Sequence, residues 1–256
     1  MAHPQIGAFP RLGEGGARPS RVIAGQNTMF TRTMHSISYD PIKDEVIVPQ
    51  FYAQAILIFR GGASGNEAPI RVIHGPDTML MNPDRLNIDP VNREVVVPES
   101  NSAEGDYIIV LPLDANGNAK PLRLLKGPDT DGVSAVAIDP VRNLLVATGG
   151  GKIRIFDRLA NGADKPKAVI TAQAGLVEVY PPKGLIFASS NNEAGDYVGV
   201  WNITDSGAVP PRWRIGGPGG LLHDIRGVAL DPKNKSVIIT DKRMNGILTY
   251  HFPELF

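Results

Sequence analysis

No cysteine occurs in the 256 residues, so disulfides, thiolate ligands and a cysteine nucleophile are excluded. An excess of either charge is missing too, since 26 Lys and Arg balance 26 Asp and Glu. A dedicated nucleic-acid binder needs a basic stripe and is not expected. Electrostatic docking on a membrane is not expected either. No apolar run approaches the roughly 18 residues of a bilayer span, which argues against membrane insertion. The opening stretch MAHPQIGAFPRLGEGG lacks the charged and apolar regions of a signal peptide. Neither a G-x-S-x-G elbow nor an H-E-x-x-H pair is present, so the reading leans away from an enzyme.

What the chain has is punctuation, with 28 Gly and 22 Pro spread in step with a repeated phrase. NIDPVNREVVVP at residues 87–98 returns as SYDPIKDEVIVP from Ser38, AIDPVRNLLVAT from Ala137 and ALDPKNKSVIIT from Ala229. A worn copy, EVYPPKGLIFAS, begins at Glu178. Asp-Pro favours turn initiation, because proline presets φ and the aspartate can bond the following backbone. The flanking Val, Ile and Leu runs read as strands buried on both faces.

A third strand follows each phrase, in AILIFR from Ala55, YIIVLPL from Tyr107, KIRIFDR from Lys152, YVGVWNI from Tyr197 and GILTYHF from Gly246. Four copies continue through a glycine-rich turn to a fourth strand, as in ASGNEAPIRVIHGPDT at residues 63–78. Each unit is thus four antiparallel strands, here a, b, c and d from the inside outward. Such sheets bury both faces only by stacking on one another, so Ile37, Tyr39, Leu86, Ile88, Val136, Ile138, Val177, Val179, Val228 and Leu230 of the a strands are expected to be buried. The expectation is all-β: one β-propeller domain over residues 1–256 with five four-stranded antiparallel blades, six being the alternative. The stretch at residues 17–28 reads as a d strand, expected to close the last blade by pairing Arg21–Ile23 with Ile247–Thr249. Residues 1–16 are left as an extra strand or arm.

An inner strand ending in Asp-Pro, then V-I-V, I-x-I-F and A-N-G-x-A-x-P, resembles the NHL-type repeat of uncharacterised bacterial propeller proteins. The resemblance implies a propeller, and it implies export to the periplasm or exterior, since similar bacterial propellers are often exported. In NHL-like and gluconolactonase-like propellers the region just before strand a supplies ligands for an axial divalent metal. By that resemblance His35, Asp84 and Glu178 are candidate ligands for calcium or zinc. The family's ligand pattern of a carboxylate, an asparagine and a second aspartate is not reproduced in this sequence.

Strand order puts the a–b and c–d turns at one end of each blade and the longer d–a and b–c loops at the other, here the top. Irregular loops carry function more often than tight turns, so the top is the expected binding face for a protein or small molecule. Repeat alignment places His35, Asp84, Ser134, Gly175 and Arg226 just before the a strands, at the expected mouth. Met29, Met34, Met79, Met81 and Met244, with His35, His74 and His223, all fall in top loops. Thioether plus imidazole suits copper, although methionine also fills irregular apolar gaps. Phe51 and Tyr52 sit on the top loop QFYAQ as candidate contact anchors. The near-duplicate acidic loops carry Glu104, Asp106, Glu193 and Asp196, readable as calcium ligands or as a solvated face. TGGGK at residues 148–152 reads as a tight hairpin, and DANGN at 114–118 as a turn. Three functions stand together here: a non-catalytic binding or scaffold propeller, a metal-assisted lactonase or lyase, and a copper-handling protein.

Overall fold

The Asp-Pro phrases fold as tight turns because their aspartates accept hydrogen bonds from the backbone just ahead. Asp89 Oδ1 takes the N–H of Val91 at 3.0 Å and of Asn92 at 2.9 Å. Asp139 does the same with Val141 and Arg142, Asp40 with Ile42, and Asp231 with Asn234. The computed structural model describes residues 4–32, 34–100, 105–191 and 195–256. It is all-β, a five-bladed β-propeller. The helical elements among the described residues are five 3-10 turns of three residues each.

An N-terminal hairpin pairs β1 (Gln5–Ala8) with β2 (Arg21–Ala24). The first full sheet holds β3 (Ser38–Asp40), β4 (Glu45–Gln50), β5 (Ala55–Arg60) and β6 (Arg71–His74). The second holds β7 (Asn87–Asp89), β8 (Glu94–Glu99), β9 (Tyr107–Pro112) and β10 (Arg123–Lys126). The third runs through β11 (Val133–Asp139), β12 (Leu144–Gly149), β13 (Lys152–Asp157) and β14 (Ala168–Thr171). The fourth comprises β15 (Val177–Tyr180), β16 (Leu185–Ser190), β17 (Tyr197–Asn202) and β18 (Trp213–Gly216). The fifth shows three strands, β19 (Ile225–Asp231), β20 (Ser236–Asp241) and β21 (Gly246–His251). By contacts the chain forms two compact units, residues 1–95 with 111–122 and residues 96–110 with 123–256.

Within each unit, one device joins successive sheets at their outer strands. Ile73 of β6 bridges in parallel to Gly117, Leu125 to Gly162 and Ile170 to Gly207. Each bridge is two backbone bonds; Lys126 N–H donates to Gly162 O at 2.7 Å, and Gly162 N–H donates to Leu124 O at 2.8 Å. Gly65, Gly117, Gly162 and Gly207 hold φ between 58° and 80°, the left-handed region that disfavours a Cβ. The c–d turn glycine is therefore what presents the clamp to the d strand before it.

In the second unit the apolar core is continuous from strand to strand. Val146, Ile153, Ile155, Ile170, Ile186 and Trp201 fill one cluster, and Val96, Ile108, Val136, Leu145 and Phe156 another. β12 and β16 are buried almost throughout, as their unbroken apolar runs require. In the first unit, Ile23, Val48, Leu57, Phe59 and Ala63 form an apolar cluster, with Ile6, Phe30 and Met34 packed against it.

Two expectations are corrected. Arg21–Ala24 pairs with Gln5–Ala8, not with Ile247–Thr249, and the pairing given for β21 is with β20. Residues 9–20 close a short loop, whose entropic cost is far below that of joining the two ends of the chain. The register Gln5↔Ala24 to Ala8↔Arg21 repeats the c–d register Ala55↔His74 to Ile58↔Arg71, so β1 takes the place of a c strand. Ile37 and Tyr39 were expected to be buried, and each is 54% exposed. The hairpin packs Ile6 and Ile23 against Val48 and Leu57, over β4 and β5, in a cluster to which Ile37 and Tyr39 do not belong. Val228 and Leu230 are half-buried, whereas Leu86, Ile88, Val136, Ile138, Val177 and Val179 are buried as expected.

Candidate functional site

The top loops of the first unit bring together residues that are far apart in sequence. Gln50, buried at the end of β4, accepts hydrogen bonds from the Thr31 N–H at 2.7 Å and its hydroxyl at 3.1 Å. That ties the loop before β3 to the β4–β5 loop. At the other side of the β4–β5 loop, Gln54 donates from Nε2 to the Met81 carbonyl at 3.1 Å. Three loops are thereby fastened side by side.

On this platform the Arg32 guanidinium lies over the Tyr52 ring, 5.1 Å from its centroid. Phe51 meets the same ring edge-on at 5.1 Å. A cation over an aromatic face is attracted by the ring quadrupole, by about 0.5–1 kcal/mol at an exposed site. Tyr52 is mostly exposed, so an aromatic and a cation are held ready at the surface. Arg32 escaped the sequence reading because only the folded loops place it over Tyr52.

His35 and Asp84, aligned by the repeats just before β3 and β7, do meet: Nδ1 and Oδ1 are 2.5 Å apart. The pair is partly exposed, with the Arg85 guanidinium 4.0 Å from the other carboxylate oxygen. The Ser36 hydroxyl beside it donates to the Leu86 carbonyl at 3.3 Å. Glu178, the third candidate ligand, lies half-buried in β15, in register with Phe187. Among the described residues no group of three or more His, Asp or Glu side chains is placed to hold a metal ion. The donor set shown is two groups already bonded to each other, which does not fit a resident divalent ion.

The other candidates have contacts of their own. The Ser134 hydroxyl makes a long bond of 3.5 Å to the Thr148 carbonyl, and Arg226 pairs with Asp224 at 3.0 Å. Gly175 donates from its backbone to Ser189 O at 2.8 Å. His74 is exposed at the end of β6, and His223 is exposed with its backbone N–H donated to Asp241. Met29 and Met79 follow equivalent 3-10 turns in the same left-handed conformation, with φ 60° at both. Met34 packs into the apolar cluster, Met81 lends its carbonyl to Gln54, and Met244 donates its N–H to Asp241. For Met81 and Met244 these contacts are made by the backbone, and the side chains of Met29, Met81 and Met244 are exposed.

The acidic loops turn out to be loop fasteners. Asp106 accepts from Gly132 N–H at 2.7 Å and, through its carbonyl, from Thr130 at 2.6 Å. Asp196 accepts from Ile225 N–H, and Asp241 accepts from His223, Asp224 and Met244. Burial pushes the Asp241 carboxyl up, but the backbone donors outweigh it and hold it below the usual carboxylate range. Glu104 and Glu193 lie outside the described residues. Asp241 was not singled out in the sequence; its position at the end of a b strand, with Asp106 and Asp196 in the loops that follow theirs, was the available signal.

At the turn end of the first unit, Arg93 links Asp40 at 2.5 Å and Asp114 at 2.6 Å, and Lys43 reaches Asp114 at 2.7 Å. Arg93 holds the Asp114 carboxyl far below its ordinary range, and Lys43 adds to this. Burial pushes Asp40 up, but Arg93 and the amides of Ile42 and Lys43 hold it low. Asp114, in the DANGN turn, is thus engaged by cations of the fold itself.

No family model matches the chain, and no curated protein matches it. Among solved structures it is similar to hydrazine synthase of Kuenenia stuttgartiensis, with a TM-score of 0.59 and 14% identity over 82% of this chain. The match spans 56% of that chain. At such identity the likeness shows the propeller fold alone; membership of the NHL family is not shown.

Proposed function

We propose that this protein is a non-catalytic binding propeller that takes a protein or small-molecule partner on the top loops of its first unit. The observation that carries the reading is the exposed Arg32–Tyr52–Phe51 arrangement, held on loops fastened through Gln50 and Gln54. Tyr and Arg are enriched among binding hot spots, and Tyr supplies wide contact area with only two side-chain torsions to fix. Holding them in place beforehand lowers the ordering cost of association. His35 and Asp84 belong to the same unit and add a polar, ionisable contact. The metal-assisted reading has two adjacent donors to stand on, His35 and Asp84, and in the copper reading Met34 is taken up by the apolar cluster.

The test compares partner retention by the wild type, by an Arg32→Ala, Tyr52→Ala double variant and by Val91→Asp, which alters an exposed turn tip at the opposite blade end. A partner held by the wild type and Val91→Asp but lost by the double variant is expected. Equal retention by all three removes the top loops from the function. Calorimetric titration of wild type and His35→Ala with calcium, zinc and copper is expected to give no difference; a stoichiometric ion lost on substitution would restore the metal reading.

A further inference from the structure

Between residues 25 and 95 the chain carries five arginines, and a carboxylate stands beside four of them. Arg60 is 2.7 Å from Glu67, Arg71 is 2.7 Å from Glu45, and Arg93 joins Asp40 and Asp114. Arg85 stands 4.0 Å from Asp84. The fifth is Arg32. Among the described residues it makes no hydrogen bond and no ion pair, and its contact is with the Tyr52 ring. The adjoining sequence supplies no partner, since residues 25–39 and 46–66 hold neither Asp nor Glu. In the third fastened loop Asp84 is engaged by His35, and Asp77 lies back at the 3-10 turn after β6.

A cation–π contact positions the guanidinium without consuming its hydrogen bonds, so the planar fork of donors still fits a carboxylate two at a time. A single positive charge matches a single carboxylate, whereas phosphorylated motifs are read by arginine clusters. The flanking groups are apolar. Tyr52 and Met81 are 56% and 48% exposed, on loops that the Gln54 bond joins. A partner surface that covers them also takes water away from Arg32, which strengthens its attraction for an acid. Side chains that stand this far out are anchors for a macromolecular surface, the usual setting of Tyr and Arg hot spots.

We infer that the partner of this face is a protein segment that sets an aspartate or glutamate on the Arg32 fork and an apolar side chain beside it on Tyr52. The inference rests on the reading of these loops as the binding face, and it adds the chemistry of what they bind. Recognition is then charge-selective: the acid supplies the pairing, and the apolar neighbour supplies the burial that makes the pairing count.

The probe is a short fluorescein-labelled peptide alternating aspartate with leucine, and its asparagine–leucine counterpart is the control. Anisotropy against the full chain should show saturable binding of the acidic peptide, weakened by added salt. Arg32→Gln should weaken it by about tenfold or more, as for a central contact residue. Arg32→Lys, which keeps the charge and loses the fork, should fall between. Arg60→Gln removes the same charge at the far end of β5 and should leave binding unchanged. Arg32 and Arg60 are both exposed, so all three variants should melt like the wild type. No saturable binding, equal binding of the asparagine peptide, or indifference to Arg32→Gln would overturn the inference. The two readings fail separately. A partner lost by the Arg32→Ala, Tyr52→Ala double variant, without any preference for the acidic peptide, keeps the binding face and overturns only the acid.

Discussion

β11 and β3 are the same strand of the repeat, yet they live in opposite surroundings. Val136 and Ile138 are 3% and 7% exposed, while their counterparts Ile37 and Tyr39 are each 54% exposed. The phrases around them are near-copies, and both make the Asp turn that follows. Local sequence therefore dictates the strand and its turn, whereas the sheet packed alongside dictates burial. A repeat protein's stability is a sum of unit and neighbour terms, and these two strands separate the terms.

The sharpest way to break that comparison is a matched pair of truncations. Ile138→Ala should cost about 2–5 kcal/mol, the usual loss for a buried large-to-small change. Equilibrium denaturation measures it, and a cost under about 1 kcal/mol would show that β11 is not the packed strand described. Next comes Arg93→Met, which strands the buried Asp40 carboxylate without its cation. Breaking such a pair costs about 3 kcal/mol, at the low end because Arg93 is partly exposed.

The same cluster sets a pH dependence. Unfolded aspartates titrate near about 3.9, and Asp40 and Asp114 lie below that when folded. Their contribution is complete above the unfolded value and drains away as pH falls toward the folded ones. Melting temperatures followed downward from about pH 5 should therefore drop less steeply in Arg93→Met than in the wild type.

Gly162→Ala addresses the clamps. Its Cβ would meet nothing within 4 Å, so the loss reads the left-handed φ of 58° alone. About 1–2 kcal/mol is expected from thermal or denaturant unfolding. The smallest effect closes the series: Ile37→Ala should stay within about 0.5 kcal/mol of the wild type, as exposed sites do. A loss as large as that of Ile138→Ala would erase the difference between the two strands.

Much of the architecture was legible because the chemistry was local. Val, Ile and Leu runs gave the b and c strands, and Asp-Pro gave the a–b turn. The glycines at Gly150 and Gly151, with φ 58° and 74°, make TGGGK the tight hairpin its composition predicts. What failed depended on neighbours. Ile37 and Tyr39 were read as core from their phrase alone, and β2 was sent to the far end of the chain while a c-type partner stood close by. At the candidate site, repeat alignment brought His35 and Asp84 together correctly, because both precede an a strand. It missed Arg32, whose position over Tyr52 arises from loop packing. For Asp106 and Asp196 it offered calcium ligation or a solvated face, and backbone amides of the adjoining loop donate to both carboxylates.

The clamp between each d strand and the following c–d glycine has an ancestral consequence. Half of every joint lies in one repeat and half in the next, for instance Ile73 with Gly117 and Leu125 with Gly162. A duplicated or excised unit therefore arrives or leaves with one half-joint of each kind, and the severed neighbours find matching halves in each other. Copy number in such a chain can change in whole steps without inventing a new contact.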